Sequence, residues 1–239
     1  MALATQTVRE IALESPSSIR IFEKLGIDYC CGGRKPLSDA CMENNLEIAV
    51  VLAALESSKN VSPATKVSWG TKSLQHLVKH IVATHHEYVK RELPRLAVLA
   101  EKVVSRHGPT TPHLSVIQTT LAQLDAELTH HHGKEEQILF PYIVDLERAL
   151  LTATDRPASC FGTVANPIAM MTQEHDAAGA LLVELRKLSN GYLPPEGACP
   201  TYHAFYDGLR EFEQDLHQHI HLENNILFPR AIQMENAAL

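Results

Sequence analysis

A chain of 239 residues, 45% hydrophobic and 21% charged, carries enough apolar side chain to bury a sizeable core. Its 28 Asp+Glu against 21 Lys+Arg give a net charge of −7, and no basic run tracks a phosphate backbone, which sets nucleic acid aside as a partner. Arg9 and Glu10 interrupt what a signal peptide needs apolar, and the longest apolar run, IAVVLAAL at 48–55, is too short for a membrane span. Five cysteines, two of them adjacent, do not form a disulfide framework, so a reduced, cytoplasmic protein with no membrane segment is expected.

The first stretch, residues 1–57, reads as a small helical domain. Apolar residues at Ile11, Ile19, Phe22 and Leu25 predict helix up to Gly26, a stop signal, and the run after Asn44 and Asn45 predicts another helix with an asparagine cap. Between them lies DYCCGG, residues 28–33, whose composition predicts an exposed turn. Its adjacent Cys30 and Cys31 are candidate reactive thiols, or incidental thiols of a structural turn. Cys41, Cys160 and Cys199 are isolated and read as packing or surface residues. A polar linker broken by Pro63 covers 58–71. From 72 to 239 long helical periods return, divided at Gly108 to Pro112, about Thr152 to Pro167, and Gly191 to Pro200 into four segments, each long enough for a bundle helix. With no convincing strand pattern, the fold class is all-α, a four-helix bundle behind a small helical domain.

An internal repeat organises the larger part. KEEQILFPYI at 134–143 lies over LENNILFPRA at 222–231, a shift of 88 residues. At that shift Leu114, Ile117, Leu121, Leu124 and Leu128 fall on Tyr202, Phe205, Leu209, Phe212 and Leu216, both series alternating steps of three and four. The same seam continues through His131, Glu135 and Ile138 in the first copy and His219, Glu223 and Ile226 in the second. Residues at i and i+4 share a helix face, so each His-x-x-x-Glu converges on one point. The other two helices repeat more weakly, at a shift of 89: Met171, His175, Ala178, Leu182 and Leu185 match Val82, His86, Val89, Leu93 and Leu96.

Two carboxylates in an apolar seam cost several kcal/mol each to desolvate and repel one another, on the order known for buried ions. Four imidazoles beside them point to a pair of metal ions that remove both problems. Histidine and carboxylate without thiolate suit iron better than structural zinc, while ligand type leaves manganese or a dizinc site open. Bridging by both carboxylates and a solvent oxygen would leave about one exchangeable position per ion, room for a small ligand. Off the seam, His130, His132, His217 and His221 are expected to face solvent, as is Glu136. Glu127 and Glu174 are placed either along an access path, orienting a histidine, or in solvent; His80 and His85 stay unassigned. Pro141 and Pro229 are expected to bend their helices beyond the metal layer.

With DYCCGG ahead of KEEQILFP and LENNILFP, the chain resembles, over nearly its whole length, the hemerythrin-like di-iron proteins for repair of iron centres, the RIC family. The resemblance implies a hemerythrin-like four-helix bundle holding two irons, oxo- or hydroxo-bridged, with His86, His131, His175 and His219 as ligands and Glu135 and Glu223 as bridges. It implies repair of iron-sulfur proteins damaged by nitric oxide or oxidants. Iron donation and nitric oxide reduction to nitrous oxide are both proposed for the family. Beside this stand a hemerythrin-type protein that binds or senses oxygen or nitric oxide without repair activity, and a metal-free helical adaptor. Periodicity leaves monomer and homodimer open.

Overall fold

The computed structural model describes residues 2–15, 17–59 and 69–237. These form two compact units, Met1–Lys72 with His217–Pro229, and Ser73–Leu216 with Arg230–Leu239. The expected linker at 58–71 falls largely on residues 60–68, outside the described residues. Among the described residues the regular structure is helical, and the only strand-like pairing is an isolated bridge between Thr7 and Pro36.

In the first unit α1 (Ala2–Thr5), α2 (Val8–Glu14), α3 (Ser18–Leu25), α4 (Leu37–Glu43) and α5 (Ile48–Lys59) follow in order. A capping box starts α2: the Thr7 hydroxyl accepts from the Glu10 N–H and the Glu10 carboxylate accepts from the Thr7 N–H. The end of α3 is the expected glycine stop, Gly26 at φ 70°, with the Ile27 N–H returning to the Phe22 carbonyl at 2.9 Å. The asparagine pair acts differently from expectation. Asn44 closes α4 and Asn45 takes a left-handed φ of 54°, while Glu47 offers its carbonyl to the first turn of α5. An asparagine tolerates that conformation at a helix end as well as it caps a start, and composition does not distinguish the two. The α3 and α4 helices both pack on α5, burying Phe22, Leu37, Val51 and Leu55.

In the second unit the long helices are interrupted. The first is α6 (Leu74–Ile81), a π segment at Val82–His86, and α7 (Glu87–His107); the next is α8 (His113–Lys134), a π segment at Glu135–Leu139, and α9 (Phe140–Thr152). An unbroken α10 (Ala165–Leu188) follows. The last, α11 (Pro200–Leu222), a π segment at Glu223–Leu227 and α12 (Phe228–Ala237), passes through both units. The three breaks of pattern expected from sequence are the helix connections found. α8 packs against both α7 and α10, and α9 against α6. Glu147 of α9 caps α6 by accepting the Leu74 and Gln75 N–H groups at 2.7 and 2.9 Å.

The π segments correct the seam. Each is closed by an i→i−5 bond: Glu87 N–H to the Val82 carbonyl, Phe140 N–H to Glu135, Phe228 N–H to Glu223. Each therefore holds one residue more than an α-turn, and the buried stripe slips by one. Leu139 and Leu227 take the places expected for Ile138 and Ile226, and Ile81 that of Val82; Ile138 is 48% exposed. Pro141 and Pro229 stand two residues beyond two of these segments, where a proline ring would strike the i−4 carbonyl of a regular helix. The bend expected at them takes the form of a widened turn just before them.

Candidate metal centre

All six inward-facing candidates are buried, between 0 and 3% exposed: His86, His131, Glu135 and His175 in the second unit, His219 and Glu223 in the first. His86 ends one π segment, whereas Glu135 and Glu223 each begin one. Such widened turns recur at functional sites because they re-aim a side chain without ending the helix.

In the second unit, His131 presents Nδ1 to Glu174 Oε2 at 2.8 Å, and His86 presents Nδ1 to Glu136 Oε1 at 2.8 Å. An ionised carboxylate only accepts, so each Nδ1 carries the proton, and in the neutral ring each Nε2 carries a lone pair. Those lone pairs turn inward. His131 Nε2 lies 3.0 Å from His175 Nε2 and 3.3 Å from Glu135 Oε1, and His86 Nε2 lies 3.5 Å from Glu135 Oε2. His131, Glu135 and His175 each place a donor atom within 4.8 Å of the others. In the first unit His219 Nε2 and Glu223 Oε1 stand 3.0 Å apart.

A cation placed between these groups would satisfy the inward nitrogens and the Glu135 carboxylate at once. Metal–ligand bonds of about 2.1 Å put neighbouring ligands of an octahedral ion about 3 Å apart, which is the spacing seen. The donor set therefore fits a metal, and being nitrogen and oxygen only it fits iron.

The carboxylates behind the histidines are themselves held by lysines, Glu136 by Lys90 at 3.1 Å and Glu174 by Lys134. Burial works to raise both carboxyls, but hydrogen bonds from His86 and Lys90 in one case, and from Lys134 and His131 in the other, outweigh it and leave both lowered. Glu174 is thus one of the orienting groups that sequence placed as an alternative, whereas Glu136 was expected in solvent. The π turn explains the miss by carrying Glu136 off the outer face, and the proline five residues later was its signal.

His132 is likewise buried instead of solvated, its ring stacked on His86 at 4.0 Å and 10°. Because α8 packs against two neighbours, its covered arc is wider than one seam. His221 is buried as well, against Tyr29; His217 is half-buried, and His130 is exposed as expected. His85 is buried on Asp215 at 3.0 Å, with His80 edge-on to it. Glu127, His130, His131, Glu174, His175 and Ala178 line a cavity of about 190 Å³ between α8 and α10.

The cysteine turn is less open than expected. Cys30 is 4% exposed and Cys31 half-buried, because Asp28 folds its carboxylate into the turn. Asp28 Oδ1 accepts from the Cys30 and Cys31 N–H groups at 2.9 and 3.0 Å and from Cys30 Sγ at 3.3 Å; Oδ2 accepts from Gly32 N–H at 2.8 Å. The two sulfurs stand 3.8 Å apart. Burial, then Cys31 and Asp28, push the Cys30 thiol well up, so it stays protonated. Gly33 is required here, since a Cβ on it would come 2.6 Å from the Tyr29 carbonyl oxygen, whereas one at Gly32 would meet the Asp28 side chain, 2.9 Å from Oδ2.

Comparison with known proteins assigns both parts of the chain to described domains. Residues 77–231 match the hemerythrin HHE cation binding domain, and residues 4–59 match a domain of unknown function, DUF542. The chain is 38% identical over 238 residues to the iron-sulfur cluster repair protein YtfE of Yersinia pseudotuberculosis serotype IB, covering 98% of this chain and 100% of that protein. The protein of the same name from Yersinia pestis strain Pestoides F matches to the same extent. With both domains matched in order and the full length aligned, the chain belongs to the RIC, or repair of iron centres, family.

Proposed function

We propose that this protein repairs damaged iron-sulfur clusters, using a di-iron centre held by His86, His131, His175 and His219 and bridged by Glu135 and Glu223. The single observation that carries the metal reading is the meeting of His131 Nε2, His175 Nε2 and Glu135 Oε1 while the other nitrogen of His131 is committed to Glu174. The names of the relatives support repair, and the match to a cation-binding domain supports metal. Two irons would supply redox-active, Lewis-acidic positions for nitric oxide or oxygen. The chain's own residues hold the protons: Glu174 and Glu136 keep Nδ1 of His131 and His86 protonated and so strengthen Nε2 as a ligand. The cavity beside His131 and His175 suits approach of a small molecule.

In this reading residues 72–239 hold the metal, 58–71 link, and 1–57 present the thiols, in a cytoplasmic monomer or homodimer that meets damaged iron-sulfur proteins. Five free cysteines accord with a reducing compartment, and among the described residues no helix is long and apolar enough to cross a membrane. Anaerobic iron quantification with Mössbauer spectroscopy before and after nitric oxide tests it, alongside recovery of a nitric-oxide-damaged [4Fe–4S] enzyme. A spin-coupled pair at about two irons per chain and recovered enzyme are expected. Nitrous oxide would mark reduction, and iron lost to the recovered enzyme would mark donation. A loaded pair with no recovery would leave a binding or sensing protein.

A further inference from the structure

The two copies of the duplicated helix use their outer faces differently. At the shift of 88 residues His221 and Asn225 fall on Gly133 and Gln137, and Gln137 is exposed. The second-copy residues are buried, and within the first unit they meet the segment before the cysteine pair. Asn225 Nδ2 donates to the Tyr29 carbonyl at 3.3 Å and lies 2.8 Å from His221 Nδ1. The Tyr29 ring stands edge-on to His221 at 5.5 Å. At its far end the Tyr29 hydroxyl donates to Glu23 at 3.0 Å, and Glu23 also accepts from Gln218 at 3.1 Å. Tyr29 is fully buried and is followed directly by Cys30.

Asn225 is also the middle residue of the π segment Glu223–Leu227. A π turn competes with the α-helix of the same sequence, and passing from one to the other rotates the residues on one side by about 100°. A donor aimed at the Tyr29 carbonyl from within that turn is compatible with only one of the two forms. We propose that Asn225 is a positioning residue that couples the Cys30–Cys31 turn to Glu223: metal held by Glu223 fixes the π turn, the π turn keeps Asn225 on Tyr29, and Tyr29 keeps the thiols closed. This rests on Glu223 being a metal ligand. Coupling of this kind is reciprocal, so opening the thiol turn loosens the grip on metal. A damaged partner engaging the thiols would thereby release iron where it is needed.

The test uses the full chain with Cys160→Ser and Cys199→Ser, leaving the pair and buried Cys41. The rate of thiol labelling by 5,5′-dithiobis(2-nitrobenzoic acid) is measured on iron-loaded and metal-free samples, with iron counted on each. Loading is expected to slow labelling at least about 5-fold, the lower end of ordinary coupling between sites. Asn225→Asp, equal in size but without the N–H donors, should abolish the difference, and Gln137→Ala at the equivalent position should keep it. Normal iron uptake with equal rates in the two states overturns the coupling alone, as does an Asn225→Asp protein that keeps the full difference. No iron uptake overturns the ligand assignment and the coupling together. If Asn225→Asp does not fold, equal rates in the loaded and metal-free parent samples still overturn the coupling.

Discussion

His131 engages both ring nitrogens, and that separates it from His130. Nδ1 is tied to Glu174 and Nε2 faces His175 and Glu135, whereas His130 is exposed. His131→Ala or His219→Ala should remove most of the iron, measured per chain after desalting, and His130→Ala almost none. His132→Ala should fall between, because its ring stacks on His86. Equal losses from all four would remove the basis for the assignment. Glu136→Gln and Glu174→Gln should each weaken iron affinity about 10- to 100-fold, the usual cost of losing the carboxylate behind a ligand histidine, as read by competition with a chelator. The six inward residues were legible because steps of three and four single out one stripe. Their partners were not: Glu136, His132 and His221 lie off that stripe and are brought in by a widened turn or a second packed neighbour.

The elements follow the same division. Helix breaks at Gly26, Gly108 to Pro112 and Gly191 to Pro200 were readable from residues with one conformational use each. Asn44 and Asn45 were read as a cap and proved to be a terminus, since the same side chain serves both ends. The π segments were invisible to a period count, which assumes one pitch throughout. At Gly33 a Cβ would meet the Tyr29 carbonyl oxygen, so Gly33→Ala should destabilise the first unit by about 1–3 kcal/mol, the range for overpacking, measured by urea unfolding. The buried His221 gives that unit a pH dependence. Desolvation by burial lowers its pKa from the usual 6.5 to about 4, against a backbone hydrogen bond with Tyr29 that works to raise it. The unfolded chain then binds a proton that the folded chain refuses, so the stabilisation is present above about pH 6.5 and is lost as pH falls toward about 4. His221→Phe should flatten that part of the stability profile.

For the molecule as a whole, metal that binds only the folded chain stabilises it by mass action, about 2.7 kcal/mol when free iron is 100 times its Kd. In a chain of this size that raises Tm by about 5–10 °C, read by calorimetry with and without a chelator. His131→Ala should show no such rise. Cys30→Ser with Cys31→Ser should leave the di-iron spectrum largely intact while weakening repair in cells; unchanged repair would reduce the pair to a structural turn. The three π segments carry one further implication, for changes of chain length. Each holds a residue that a uniform helix would do without, and Val82–His86 has no proline just behind it. Deleting Ala83, which is exposed, would set Ile81 and His86 four residues apart, as on an unbroken α-helix. The shortened chain should melt close to its metal-free parent yet hold little iron, so that a deletion, ordinarily the harshest edit to a helix, separates folding from metal binding.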